Sequence, residues 1–120
     1  MCKLKSLAVL LAFCCYVPFA LADEYASLAD DASAAILSPV DGAKLSRAEQ
    51  TKIDYEVMPG LKGDHSHLYV DDKQAAVLRP LKGSHTLELL ASGKHEICIK
   101  VVNKGHTPIG VQQCIKVSME

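Results

Sequence analysis

The chain has 120 residues, 13 of them Lys or Arg and 14 Asp or Glu, and 49% belong to the hydrophobic class. One segment carries much of that apolar weight: 18 of the first 22 residues are hydrophobic, and beyond residue 22 the balance is 11 basic to 14 acidic residues. A mildly acidic chain this short excludes nucleic-acid binding by phosphate neutralisation and polybasic membrane attachment, and it has room for one small domain.

Residues 1–22 read as a secretory signal peptide. Lys3 and Lys5 supply a positive start, and Leu7 to Tyr16 form an apolar run too short to span a bilayer. Ala20-Leu21-Ala22 offers a small-x-small cleavage site before Asp23. The expected location is therefore periplasmic or secreted, with no membrane span after cleavage. Cys2, Cys14 and Cys15 leave with the signal, so only Cys98 and Cys114 remain, and an oxidising compartment favours their pairing.

Residues 23–34, rich in Ala and Asp without an apolar stripe, read as an N-terminal arm or one short helix. From residue 35 to 120 the apolar period is two. Short strands are expected at Ala35–Leu37, Lys44-Leu45, Lys52–Val57, His65–Asp71 and Ala75–Leu78. Another is expected at Leu87 with Leu89, followed by Lys94–Asn103 and Gly110–Ser118. Turn residues separate them, notably Ser38-Pro39-Val40-Asp41-Gly42 and Pro59-Gly60 to Gly63. About seven strands in under 90 residues predict an all-β, immunoglobulin-like antiparallel β-sandwich. Ile97, Ile99 and Val101 alternate with Cys98, and Ile115 and Val117 follow Cys114 in the same phase. A hairpin turning at Asn103–Gly110 would set the two cysteines opposite each other on the outer face, as a structural disulfide.

The stretch Ser38-Pro39-Val40-Asp41-Gly42-Ala43 resembles the SP-x-DG-A opening of exported bacterial immunoglobulin-like domains. Leu90-Ala91-Ser92-Gly93-Lys94-His95 is similar to their L-x-P-G-x-H turn, with Ser92 in place of Pro. Gly63-Asp64-His65-Ser66-His67-Leu68-Tyr69-Val70-Asp71 resembles the GHHHLLID segment of a periplasmic family of uncharacterised function, the DUF4399-type domain. The opening is also similar to that of the CopC-type periplasmic copper carriers, whose mature N-terminal histidine is a copper ligand; Asp23 stands at that place here.

All five histidines, at 65, 67, 85, 95 and 106, lie beyond the signal segment. His65 and His67 are two apart on a strand and share a face with Tyr69, opposite Leu68 and Val70. In an immunoglobulin-like sandwich the loop before this strand and the loop between the last two strands share one end. His106 lies in that last loop, so His65, His67 and His106 are expected to converge, with Asp64 as a candidate fourth ligand for Cu or Zn. His85 is expected in the opposite sheet at the same end, and His95 at the other end. Solvated strand-end histidines, or a pH-sensitive surface, are the plainer readings of the same residues.

Catalysis has no sequence support: HExxH, GxSxG, CxxC and a Gly-rich phosphate loop are all missing. The acidic pairs Asp30-Asp31 and Asp71-Asp72 read as solvated turns. Three tyrosines and no Phe or Trp beyond residue 22 argue against aromatic platforms for sugars or single-stranded nucleic acid. The expected function is thus a small exported binding module without catalytic activity, its partner a cell-envelope protein. The alternatives are a periplasmic Cu- or Zn-binding or delivery protein and, behind it, an accessory domain for cell-wall polymers.

Overall fold

The computed structural model describes residues 31–120. The signal peptide and most of the expected N-terminal arm lie outside the described residues. Eight strands follow in chain order: β1 (Ser33–Ser38), β2 (Lys44–Leu45), β3 (Lys52–Met58), β4 (His65–Val70), β5 (Lys73–Leu78), β6 (Lys82–Thr86), β7 (Gly93–Val102) and β8 (Pro108–Met119). They form a three-stranded sheet ordered β1-β3-β6 and a five-stranded sheet ordered β2-β8-β7-β4-β5. The architecture is an immunoglobulin-like β-sandwich.

Strict alternation drives the packing. In β3, Ile53, Tyr55 and Val57 are buried between flanking polar residues. From the facing sheet Leu68, Ile97, Ile99, Ile115 and Val117 close the same core. Each such side chain contributes about 1.5–3 kcal/mol when taken fully out of water. Tyr55 also donates its hydroxyl to the Pro80 carbonyl at 3.0 Å, so its polar tip is satisfied within the apolar layer.

Three details differ from the sequence expectation. The first strand begins at Ser33, two residues early, because Ser33 and Ala34 already pair with Met58 and Val57. The sandwich is not wholly antiparallel: β2 runs parallel to the end of β8. The turn before it is fastened there by Gly42 N–H on Lys116 O and Lys116 N–H on the Asp41 carboxylate. Finally, no strand forms at Leu87 and Leu89. Leu87 is buried but Leu89 is 60% exposed, and the ladder partner of β3 is Lys82–Thr86 instead. That segment is an edge strand of mostly exposed residues, so backbone pairing rather than apolar alternation defines it.

β4 and β7 position the candidate site residues His65 and His67. Gly63 donates to Pro59 O and Asp64 donates to Val102 O, which leads the chain into β4 in register with β7. Gly63 has no substitute, since a Cβ there would run into the Pro59 carbonyl and Val101. Opposite it, β7 and β8 form the hairpin expected from the sequence, with Cys98 facing Cys114 at a Cα separation of 4.0 Å and the two sulfurs bonded.

Candidate metal centre

His65 and His67 alternate with Ser66 and Leu68, which face the core side of β4. The two rings therefore project from the outer face of the five-stranded sheet. The same face carries Tyr69, beside the Cys98–Cys114 pair. Outer does not mean solvated here. His65 is 1% and His67 2% exposed, although strand-end histidines are ordinarily wet. Their cover includes His106, which reaches them from the β7–β8 loop.

That loop is built to deliver one side chain. Asn103 accepts from the His106 N–H through its carbonyl and from the Thr107 N–H through its side chain, and its own N–H donates to Thr107 O. The resulting tight turn puts His106 at φ +64°, in the left-handed region. A β-carbon there costs about 1–2 kcal/mol, and glycine is the residue that avoids the cost. Histidine stands at this position and its ring comes down on the pair below.

The three rings meet through their nitrogens. His65 Nε2 lies 3.2 Å from His67 Nε2 and 3.2 Å from His106 Nδ1, and the last two are 3.0 Å apart. Protons alone cannot satisfy this triangle. A neutral ring nitrogen is either a donor or an acceptor, so among three nitrogens in mutual contact at least one pair is alike. The triangle does suit an ion: metal–nitrogen bonds of about 2.0–2.1 Å hold tetrahedral ligand atoms about 3.3 Å apart.

Asp64 occupies a different place from the fourth-ligand position expected of it. Its Oδ2 sits 2.8 Å from His65 Nδ1, behind the ring. The carboxylate accepts the Nδ1 proton, which leaves the neutral ring's Nε2 as a bare lone pair aimed at the other two nitrogens. Sequence reasoning found Asp64 but not this role, because which ring nitrogen it meets depends on the turn geometry. His67 is pushed below the ordinary imidazole value of 6.5, first by burial and then by the charges of His65, His106 and Arg79. It is therefore neutral and able to donate a lone pair at neutral pH. Its Nδ1 is buried without a partner.

The other histidines are elsewhere. His95 is at the far end of β4, with Nδ1 2.6 Å from Asp71 Oδ2 and Nε2 2.7 Å from Ala91 O. His85 does lie in the opposite sheet, but not at the His65 end. It lines a groove with Val70, Ala75, Leu87 and Leu90, toward the last residues of β4. The displaced strand explains this: β6 runs antiparallel to β3, so His85 pairs with Ile53 near the start of that strand. Glu96, Cys98 and Cys114 also cluster, but both sulfurs are committed to the disulfide.

No family model matches the chain, and no curated protein matches it. Among solved structures it is similar to the fibronectin(III)-like modules of Clostridium thermocellum CbhA. The TM-score is 0.61 at 14% identity, over 74% of this chain and 46% of that one. A Jonesia denitrificans lytic polysaccharide monooxygenase gives TM-score 0.49 at 14% identity, over 68% of this chain and 60% of that one. The extracellular domain of the putative one component system BT4673 from B. thetaiotaomicron gives 0.49 at 12%, over 68% and 12%. Among the described residues no helix is long and apolar enough to cross a membrane. The first of these likenesses establishes the architecture: a fibronectin-III-like, immunoglobulin-type β-sandwich.

Proposed function

We propose that this domain is an exported immunoglobulin-like module that binds a divalent transition-metal ion, Zn(II) or Cu(II), through His65, His67 and His106. The single observation that carries the reading is the triangle of ring nitrogens at 3.0–3.2 Å, two of them on buried side chains. Three imidazoles suit both ions, and among divalent ions the affinity order places copper above zinc. Asp64 acts from behind His65, holding its tautomer and ring orientation. The signal-like N-terminal segment and the cysteine pair support an oxidising, periplasmic or extracellular setting.

Isothermal titration of the purified mature domain with Cu(II) and Zn(II) tests this. Tight one-to-one binding is expected, and replacing His65 and His67 together with Ala should abolish it. Unchanged affinity in that variant removes the reading. A second reading, a module that docks a cell-envelope protein, is supported by the edges of both sheets: among the described residues β1, β6, β2 and β5 each lack a strand on one side, and added strands are a common mode of recognition. It predicts partner capture that is indifferent to the double histidine replacement.

A further inference from the structure

We propose that the ion held by His65, His67 and His106 takes an external carboxylate as its next ligand, and that Arg79 recruits that carboxylate. The inference rests on the metal reading above and adds the class of ligand the loaded site accepts.

The first argument is geometric. Ring nitrogens 3.0–3.2 Å apart are too close together to encircle an ion in their own plane. Metal–nitrogen bonds of about 2.05 Å would need wider nitrogen spacing for the three to surround an ion on their own. Three donors would then lie to one side of the ion and leave it short of a ligand from this set. Among the described residues no fourth His, Cys or acidic side chain joins the three nitrogens within 4.8 Å. Asp64, the nearest carboxylate in sequence, is engaged on the far nitrogen of His65.

The second argument is charge. Three neutral imidazoles leave both positive charges of a divalent ion uncompensated in the first shell, in a place where two of the three ligands are buried. An anion is favoured at the remaining position over a neutral donor, since low-dielectric surroundings strengthen the attraction.

The third is Arg79. Leu78, the last residue of β5, pairs with Ser66 and is buried toward the core. Arg79 follows directly, two residues beyond the pairing of Val77 with His67, and continuing the alternation of β5 by one residue would turn it to the outer face that carries His65 and His67. Arg79 is exposed and makes no ion pair among the described residues. A guanidinium beside a histidine cluster opposes metal binding by plain repulsion. It becomes favourable when a carboxylate places one oxygen on the ion and the other on the planar fork, which matches that group's geometry.

The carboxylate can belong to a small organic acid or to an acidic side chain of a polypeptide, and the two are separable. The mature domain is loaded with Co(II), whose visible spectrum reports its ligand number, and titrated with acetate and with a short blocked peptide carrying one Glu. A saturable spectral change is expected. Acetate as the tighter ligand assigns a small acid, and the peptide as the tighter ligand assigns a protein carboxylate. Arg79→Ala should weaken binding of the preferred probe about tenfold, well beyond any change in Co(II) affinity, with partial recovery in Arg79→Lys. No spectral response to either probe, or equal affinity in wild type and Arg79→Ala, overturns the inference while leaving the metal site standing. Failure to bind Co(II), Zn(II) or Cu(II) at all overturns both.

Discussion

Reducing the Cys98–Cys114 bond tests how the scaffold of the site is held. The two cysteines are 16 residues apart in sequence and face each other across adjacent strands. The β7–β8 ladder brings them together whether or not the sulfurs are joined, so reduction leaves the native backbone where it is. The effect then falls on the unfolded chain, which regains the freedom of the loop. For a loop of this length the chain-entropy relation gives about 3 kcal/mol. In a domain of roughly 90 residues each kcal/mol moves the melting temperature by about 4–8 °C, so a loss of roughly 12–24 °C is expected. Thermal and urea unfolding with and without a phosphine reductant, free thiols being counted in the unfolded protein, measure it. The urea slope should rise as well, because an uncrosslinked unfolded chain exposes more surface. Fully reduced protein melting within a few degrees of the oxidised form would refute the reasoning, since it would mean that the loop is already restricted in the unfolded state.

Tyr55→Phe removes the hydroxyl that reaches Pro80 O and leaves a half-buried carbonyl without its donor; a loss of about 1 kcal/mol in urea unfolding is expected. At the far end of β4, Ala91 O can only accept, and so can the Asp71 carboxylate, so the His95 ring carries both protons. The Asp71 hydrogen bond and then the Ala91 carbonyl hold His95 above 6.5, while the His95 hydrogen bond and the Glu96 N–H hold Asp71 below 3.8. The His95 contribution is complete below pH 6.5 and fades as pH rises through the raised folded value; that of Asp71 is present above pH 3.8 and fades as pH falls through its depressed value. An NMR titration should show His95 titrating above a free imidazole, and Asp71→Asn should bring it back down. His106→Gly should leave the fold as stable or more so, by up to about 1 kcal/mol, because glycine accepts the left-handed turn, while weakening Zn(II) binding; calorimetry and thermal melts separate the two effects.

A backbone period of two, read from residue 35 onward, was enough to assign faces. It put Ile53, Tyr55 and Val57 inside, His65 and His67 together outside, and Cys98 and Cys114 on facing strands, because side chains alternate whatever the strands later pair with. It failed where pairing rather than alternation makes the strand. Lys82–Thr86 has no apolar rhythm and exists through its ladder with β3, so the strand precedes the more apolar leucines that follow it. The parallel join of β2 to β8 was hidden for the same reason: two residues carry no period, and the Asp41–Gly42 turn that directs them acts through one backbone hydrogen bond and one to the Asp41 carboxylate.

The site divides along the same line. Residue types and the spacing of two determined that His65 and His67 are neighbours, and the hairpin pattern placed His106 at their end of the sandwich. Only the folded chain decided that the two strand histidines are buried and that Asp64 stands behind His65. Those facts depend on distances between segments remote in sequence, set by the register of β4 against β5 and β7 and by a left-handed turn at residue 106. Alternation is a local property of the chain; the shape of a ligand cage is a property of how separate strands are offset.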